Sequence, residues 1–151
     1  MRPPVNHPAR PVYRGLAGLA GLYLVIFAIL GVLETSGGEV FAQDDTRVLG
    51  QGVNLGSALL LGVIGAAVLI GVGIGRNVDV AINKWLGGWT MIVIGLGSLA
   101  LEQTDANYLN FNPITCFVTM IIGLLLLAAG MYSKVGSEDD VREWQEARLK
   151  L

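Results

Sequence analysis

The side chains able to do chemistry in this chain are few and stand apart. His7 is the only histidine and Cys116 the only cysteine. Metal or haem ligation needs several such ligands to converge. His7, alone in a proline-rich polar arm, reads as a solvated side chain rather than a ligand. Cys116 lies inside an apolar run, where packing is the first reading and a redox or lipidation role the second. One cysteine also excludes an intramolecular disulfide. The run GVGIG at 71–75 has a superficial likeness to a dinucleotide-binding glycine loop. That motif requires a preceding strand and a βαβ unit, which its surroundings do not offer. No nucleophile–base pair can be assembled either. The expectation is a protein that is not an enzyme and that holds no cofactor and no metal.

What surrounds these residues is hydrocarbon. Hydrophobic residues make up 53% of the chain and charged residues 15%, against about 25% charged in soluble domains. Residues 53–75, VNLGSALLLGVIGAAVLIGVGIG, hold no ionisable side chain. As a helix they reach about 34 Å, enough for the roughly 30 Å core of a bilayer. Three more such runs are expected to span, at 15–33, 85–101 and 113–132. The fold class predicted is all-α: an integral membrane four-helix bundle, 15–133, with a cytoplasmic Pro/Arg arm at 1–14 and a tail at 134–151. The first run has 19 uncharged residues and no A-x-A closing it, so it reads as a retained helix and not as a signal peptide.

Small residues should decide how these helices meet. The opening GLAGLAGL places Gly15, Gly18 and Gly21 on a flat stripe, and Gly62, Gly65 and Gly71 do the same in the second span. Such stripes let another backbone approach closely. They suit packing inside the bundle or contact with another protein. Aromatic residues mark the interfaces: Tyr13, Trp85, Trp89, Tyr108 and Tyr132 are the expected anchors. Trp85 and Trp89, one turn apart, carry a second reading as a platform for an aromatic cofactor or quinone. The third span, 17 residues between Lys84 and Glu102, is the shortest, and snorkelling or thinning must absorb the difference. Residues 76–84, RNVDVAINK, read as a short basic turn.

In the tail, Ser137 ahead of Glu138, Asp139 and Asp140 predicts an N-cap with acids in the first turn. Val141, Trp144 and Leu151 then fall near one face of a short amphipathic helix, placed to touch a partner or the membrane surface.

Charge sets the expected orientation. The two terminal arms and the 76–84 turn hold nine of the ten Lys and Arg residues. The positive-inside rule then puts both termini in the cytoplasm, making this a multi-pass protein of the inner membrane. A net charge of −2 offers nucleic acid no overall attraction. A faint duplication shows as well. Leu33-Glu34 and Leu101-Glu102 end two spans, and Asn54 and Asn112 each precede an Ile-Gly pair, ending at Gly65 and Gly123, by the same interval. Two parallel halves about an axis along the membrane normal would give that pattern.

Between the expected span limits there is no Asp, Glu, Lys, Arg or His. Intramembrane ionisable residues mark proton paths and ion sites, so proton-coupled transport by this chain alone is not expected. Glu34 and Glu102 at the outer boundary could collect protons for a neighbour, or simply end their helices.

With the arm NHPAR, four Gly-rich spans and the closing NPITCFVTMIIGLLLLAAGMY, residues 6–133 resemble small four-span actinobacterial membrane proteins that carry no assigned activity. Proteins of that type occur as accessory subunits of respiratory assemblies, including the cytochrome bcc–aa3 supercomplex. The resemblance implies a role in packing and assembly, with other membrane subunits and lipids as partners and no catalytic residue. The function expected is that of a non-catalytic accessory subunit in electron transport. The alternative is a small homo-oligomeric transporter or channel for a neutral or lipidic substrate, recognisable by a polar cavity among Asn54, Ser57, Ser98, Thr115 and Thr119.

Overall fold

Four helices of the computed structural model are long and apolar enough to cross a membrane: α1 (Arg10–Thr35), α2 (Leu55–Ile74), α3 (Val78–Leu101) and α4 (Pro113–Tyr132). They pack as a bundle, and a short helix α5 (Glu138–Leu149) follows outside it. The structure describes residues 3–150. The chain is a multi-pass membrane protein, all-α apart from a hairpin of two-residue strands, β1 (Arg47–Val48) with β2 (Gln51–Gly52), in the loop between α1 and α2.

Two spans begin earlier than their uncharged runs. Helix α1 starts at Arg10, where Pro11 is tolerated because the first-turn N–H groups have no intrahelical acceptor. Helix α3 starts at Val78, so most of the stretch expected as a basic turn is helical and the third span is not short: it has 24 residues. Its section Ile82–Trp89 is wound as a π-helix, and Thr90 Oγ1 donates to the Trp85 carbonyl at 2.9 Å. The span helices therefore reach beyond the uncharged runs and carry ionisable groups near their starts. Arg10, Arg14, Asp79 and Lys84 all lie within α1 or α3.

The bundle is two helix pairs. Helix α1 packs along α2 and α3 along α4, with α1 also against α4 and the first part of α3 against α2. Without a hydrophobic drive between helices in lipid, close backbone approach supplies the attraction. A Cβ on Gly62 would meet that of Ala28 at 2.8 Å, and one on Gly31 that of Ala58 at 2.8 Å. Leu24, Phe27, Ile64, Val68, Met91 and Leu126 fill the centre.

The N-terminal ends of α2 and α4 are built alike. Asn54 Oδ1 accepts from Ser57 N at 2.8 Å, and Asn112 Oδ1 from Thr115 N at 2.9 Å. The caps face each other: Gly52 has no Cβ because one would lie 2.4 Å from the Asn110 carbonyl. Thr115 Oγ1 donates to the Gly52 carbonyl, and Asn110 Nδ2 to that of Val53.

Candidate functional site at the end where the termini meet

Asp79 is the second residue of α3, and its side chain is wholly buried. A carboxylate withdrawn from water is costly unless paired, and α1 supplies the partners. Arg14 Nε stands 3.4 Å from Asp79 Oδ2, and Arg10 Nη2 3.8 Å from the same oxygen. The two arginines are four residues apart, so helical winding aims both the same way. Other elements fix their remaining edges. Arg10 Nε donates to the Ser133 carbonyl just past α4 at 2.9 Å, and Arg14 Nη2 to the Val72 carbonyl in the last turn of α2. One cluster thus joins the same end of all four spans.

Glycine makes room for it. Gly75, at φ +66°, would carry a Cβ 3.2 Å from Arg14 Nη2 and 3.8 Å from Arg10 Nη2. The chain then turns back through Arg76 and Asn77, both in the left-handed region, where asparagine is among the better-tolerated residues.

Around this cluster the chain ends are fastened by amides. Asn77 Nδ2 donates to the Val135 carbonyl at 2.8 Å, and Val135 N donates back to Asn77 Oδ1 at 2.7 Å. Asn6 holds Gly136 in the same two-way manner, and Asn6 N donates to the Lys134 carbonyl. Tyr13 stacks on Tyr132 with ring centres 4.9 Å apart, and His7 sits edge-on 5.3 Å from Tyr132. His7 is thus part of a ring cluster and not a free polar side chain.

Several buried polar atoms here have no hydrogen-bond partner: both Asp79 oxygens, Arg14 Nε, the Ser133 hydroxyl and both amide atoms of Asn83. Asn83 is one turn beyond Asp79 and wholly buried. It lies in the π-wound section, a form that recurs at functional positions. Gly88 lets this section approach α4, since a Cβ there would stand 2.9 Å from the Leu127 Cα.

The other anticipated residues fall elsewhere. Gly18, Gly21, Gly62 and Gly65 lie between α1 and α2, and Gly71 faces Ile82 and Asp79. Gly15 has nothing within 4 Å and so lies outside the contact between α1 and α2. Trp85 and Trp89 point outward, Trp85 under Lys84 Nζ at 5.1 Å, beside an open groove of about 580 Å³. Tyr108 is exposed in the loop before α4. Trp144 lines a small pocket with Pro3 and Val5, Val141 is half-buried on α5, and Leu151 lies outside the described residues. Cys116 is buried in the core. Among the described residues no three His, Cys, Asp or Glu side chains gather as a metal site requires.

Asp79 is the residue of this cluster that sequence reasoning passed over. Its signal was the Asp79-x3-Asn83 spacing, matched by Arg10-x3-Arg14, two polar pairs at helical interval on the rims of two spans. Comparison of the chain with family models, characterised proteins and solved structures finds no match.

Proposed function

We propose that this chain is a non-catalytic accessory subunit of a larger inner-membrane complex, and that it works by fitting beside the helices of other subunits. The observation that supports this most is the unequal cover of the spans. In α3, 28% of the span window is buried within the chain, against 39–44% in the other three. The outward side of α3 presents Trp85, Trp89, Val93, Leu96 and Leu101, with Gly97 open beside them. A face that joins large aromatic residues to a bare backbone position suits a neighbouring helix. The respiratory setting rests on the resemblance of residues 6–133 alone. The cytoplasmic placing of both termini rests on the basic residues at that end.

The transport reading has less support. Asn54, Ser57 and Thr115 are engaged in helix caps, and Ser98 borders a shallow outer pocket of about 220 Å³.

Photo-cross-linking in native membranes tests the proposal. A reactive side chain at Gly97 or Trp89 should yield an adduct with one polypeptide of defined mass. Adducts with lipid alone would contradict it. Solute flux in vesicles containing only this chain would favour the transporter.

A further inference from the structure

The Arg10–Arg14–Asp79 cluster is not closed on itself. Two guanidinium groups face one carboxylate, which leaves a local charge of +1 at the rim of the spans. Each guanidinium carries five N–H donors in a fixed fork. Arg10 commits Nε to Ser133 and turns one Nη2 edge to Asp79. Arg14 turns Nε to Asp79 and commits Nη2 to Val72. Among the described residues, neither Nη1 is engaged. Asp79 lies behind the pair, fully buried, while the arginine side chains are 22% and 29% exposed. An approaching ligand therefore meets guanidinium first and carboxylate second.

A second observation points the same way. The buried Ser133 hydroxyl, next to the carbonyl that fixes Arg10, and the buried Asn83 amide have no partner. The Ser133 hydroxyl thus offers a donor next to Arg10, and the Asn83 amide, one turn beyond Asp79, a donor and an acceptor. The depth is that of lipid headgroups, since Arg10 opens α1, Asp79 opens α3 and Ser133 follows α4. Planar, doubly donating guanidinium suits the oxygens of a phosphate better than any neutral headgroup alcohol. Anionic lipid is also drawn to basic membrane-edge segments.

We propose that Arg10 and Arg14, held by Asp79 behind them, bind a phosphate oxyanion, supplied by the headgroup of an anionic phospholipid. Asp79 is a positioning residue here, and the site does not depend on which subunits lie beside α3.

Native mass spectrometry of the full chain in mild detergent tests this, with phosphatidylglycerol, phosphatidylcholine and inorganic phosphate as separate probes. The site predicts one phosphatidylglycerol retained per chain, at least tenfold tighter than phosphatidylcholine. Arg10→Lys and Arg14→Lys keep the charge but lose the fork, and each should weaken retention fivefold or more. Arg142→Gln, which removes an exposed charge from α5, should change nothing. Inorganic phosphate that binds alone and displaces the lipid would keep the oxyanion site and make a soluble anion its source. Equal retention of the two lipids by the wild-type chain would overturn the site, whether or not the variants fold. So would lysine variants that bind like wild type.

Discussion

Gly21 and Gly65 meet backbone to backbone: a Cβ on Gly21 would stand 3.1 Å from the Gly65 carbonyl oxygen, and one on Gly65 2.9 Å from that of Gly21. The second half repeats this contact. A Cβ on Gly123 would lie 3.0 Å from the Gly88 carbonyl oxygen and 3.0 Å from Ile92 N, as one on Gly65 would lie 3.1 Å from Val25 N. With Asn54 and Asn112 capping the same way, the two halves share a plan in three dimensions that their letters show only faintly.

Gly65→Leu and Gly123→Leu should each force their helix pair apart. Overpacking of this kind costs about 1–3 kcal/mol, and backbone neighbours cannot move aside as a flexible side chain can. Gly97→Leu and Gly73→Leu, at positions with nothing within 4 Å, should leave stability unchanged. Thermal unfolding in detergent, followed by helical circular dichroism, checks the contrast.

Removing the Asp79 carboxylate should be among the most damaging single changes. Asp79→Leu leaves two guanidinium groups without their counter-charge, and loss of one partner from a buried pair costs roughly 3–5 kcal/mol. Arg10→Met with Arg14→Met in that background should recover most of the stability, because the orphaned charges go with them. Absence of recovery in the triple variant would show that the cluster does more than balance charge.

The two asparagine caps each serve three groups and should rank by depth. Asn112→Ala loses a cap, about 1 kcal/mol, together with the bond from Thr115 Oγ1 and an exposed bond to the Gly50 carbonyl. Asn54→Ala loses its cap and also bonds to the Ala42 and Tyr108 carbonyls. Its cost should be larger, because Asn54 is buried where Asn112 is half-buried, and polar groups left unpaired at depth cost about 1–3 kcal/mol. Denaturant unfolding of the two variants side by side reads the order.

The start of α5 should loosen in acid. The Ser137 backbone N–H, followed by the Ser137 hydroxyl, holds the Asp140 carboxyl below its ordinary value. A carboxylate stabilised in the folded helix contributes above its unfolded pKa and loses that contribution as pH falls through the lower folded value. Amide hydrogen exchange in 138–141 should therefore quicken, relative to the intrinsic rate, as pH falls below about 4. In Ser137→Ala the protection should be lower throughout and the acid step smaller.

Much of this architecture is legible in the sequence, for physical reasons that differ by element. Helix α4 announces itself because Asn112 caps it, Pro113 fits its first turn, and nothing charged interrupts it. Helix α5 does so through Ser137 and the acids after it. The beginnings of α1 and α3 were hidden because each carries charges that look unfit for a membrane helix. Those charges find partners only when Arg10, Arg14 and Asp79 are brought together from chain positions far apart, which no window of sequence displays. The π-wound section is hidden for a similar reason: Gly87 and Gly88 let α3 approach Leu126 and Leu127 of α4, and that fit depends on the partner helix.

The central claim is that this chain works as one member of a larger membrane assembly. Extracting the tagged full-length protein from its native membrane in mild detergent and weighing the intact particle tests it most directly. The account predicts a particle well above the 16.0 kDa of one chain, with other polypeptides in fixed ratio to it. A particle containing only this chain, singly or as copies of itself, would contradict it.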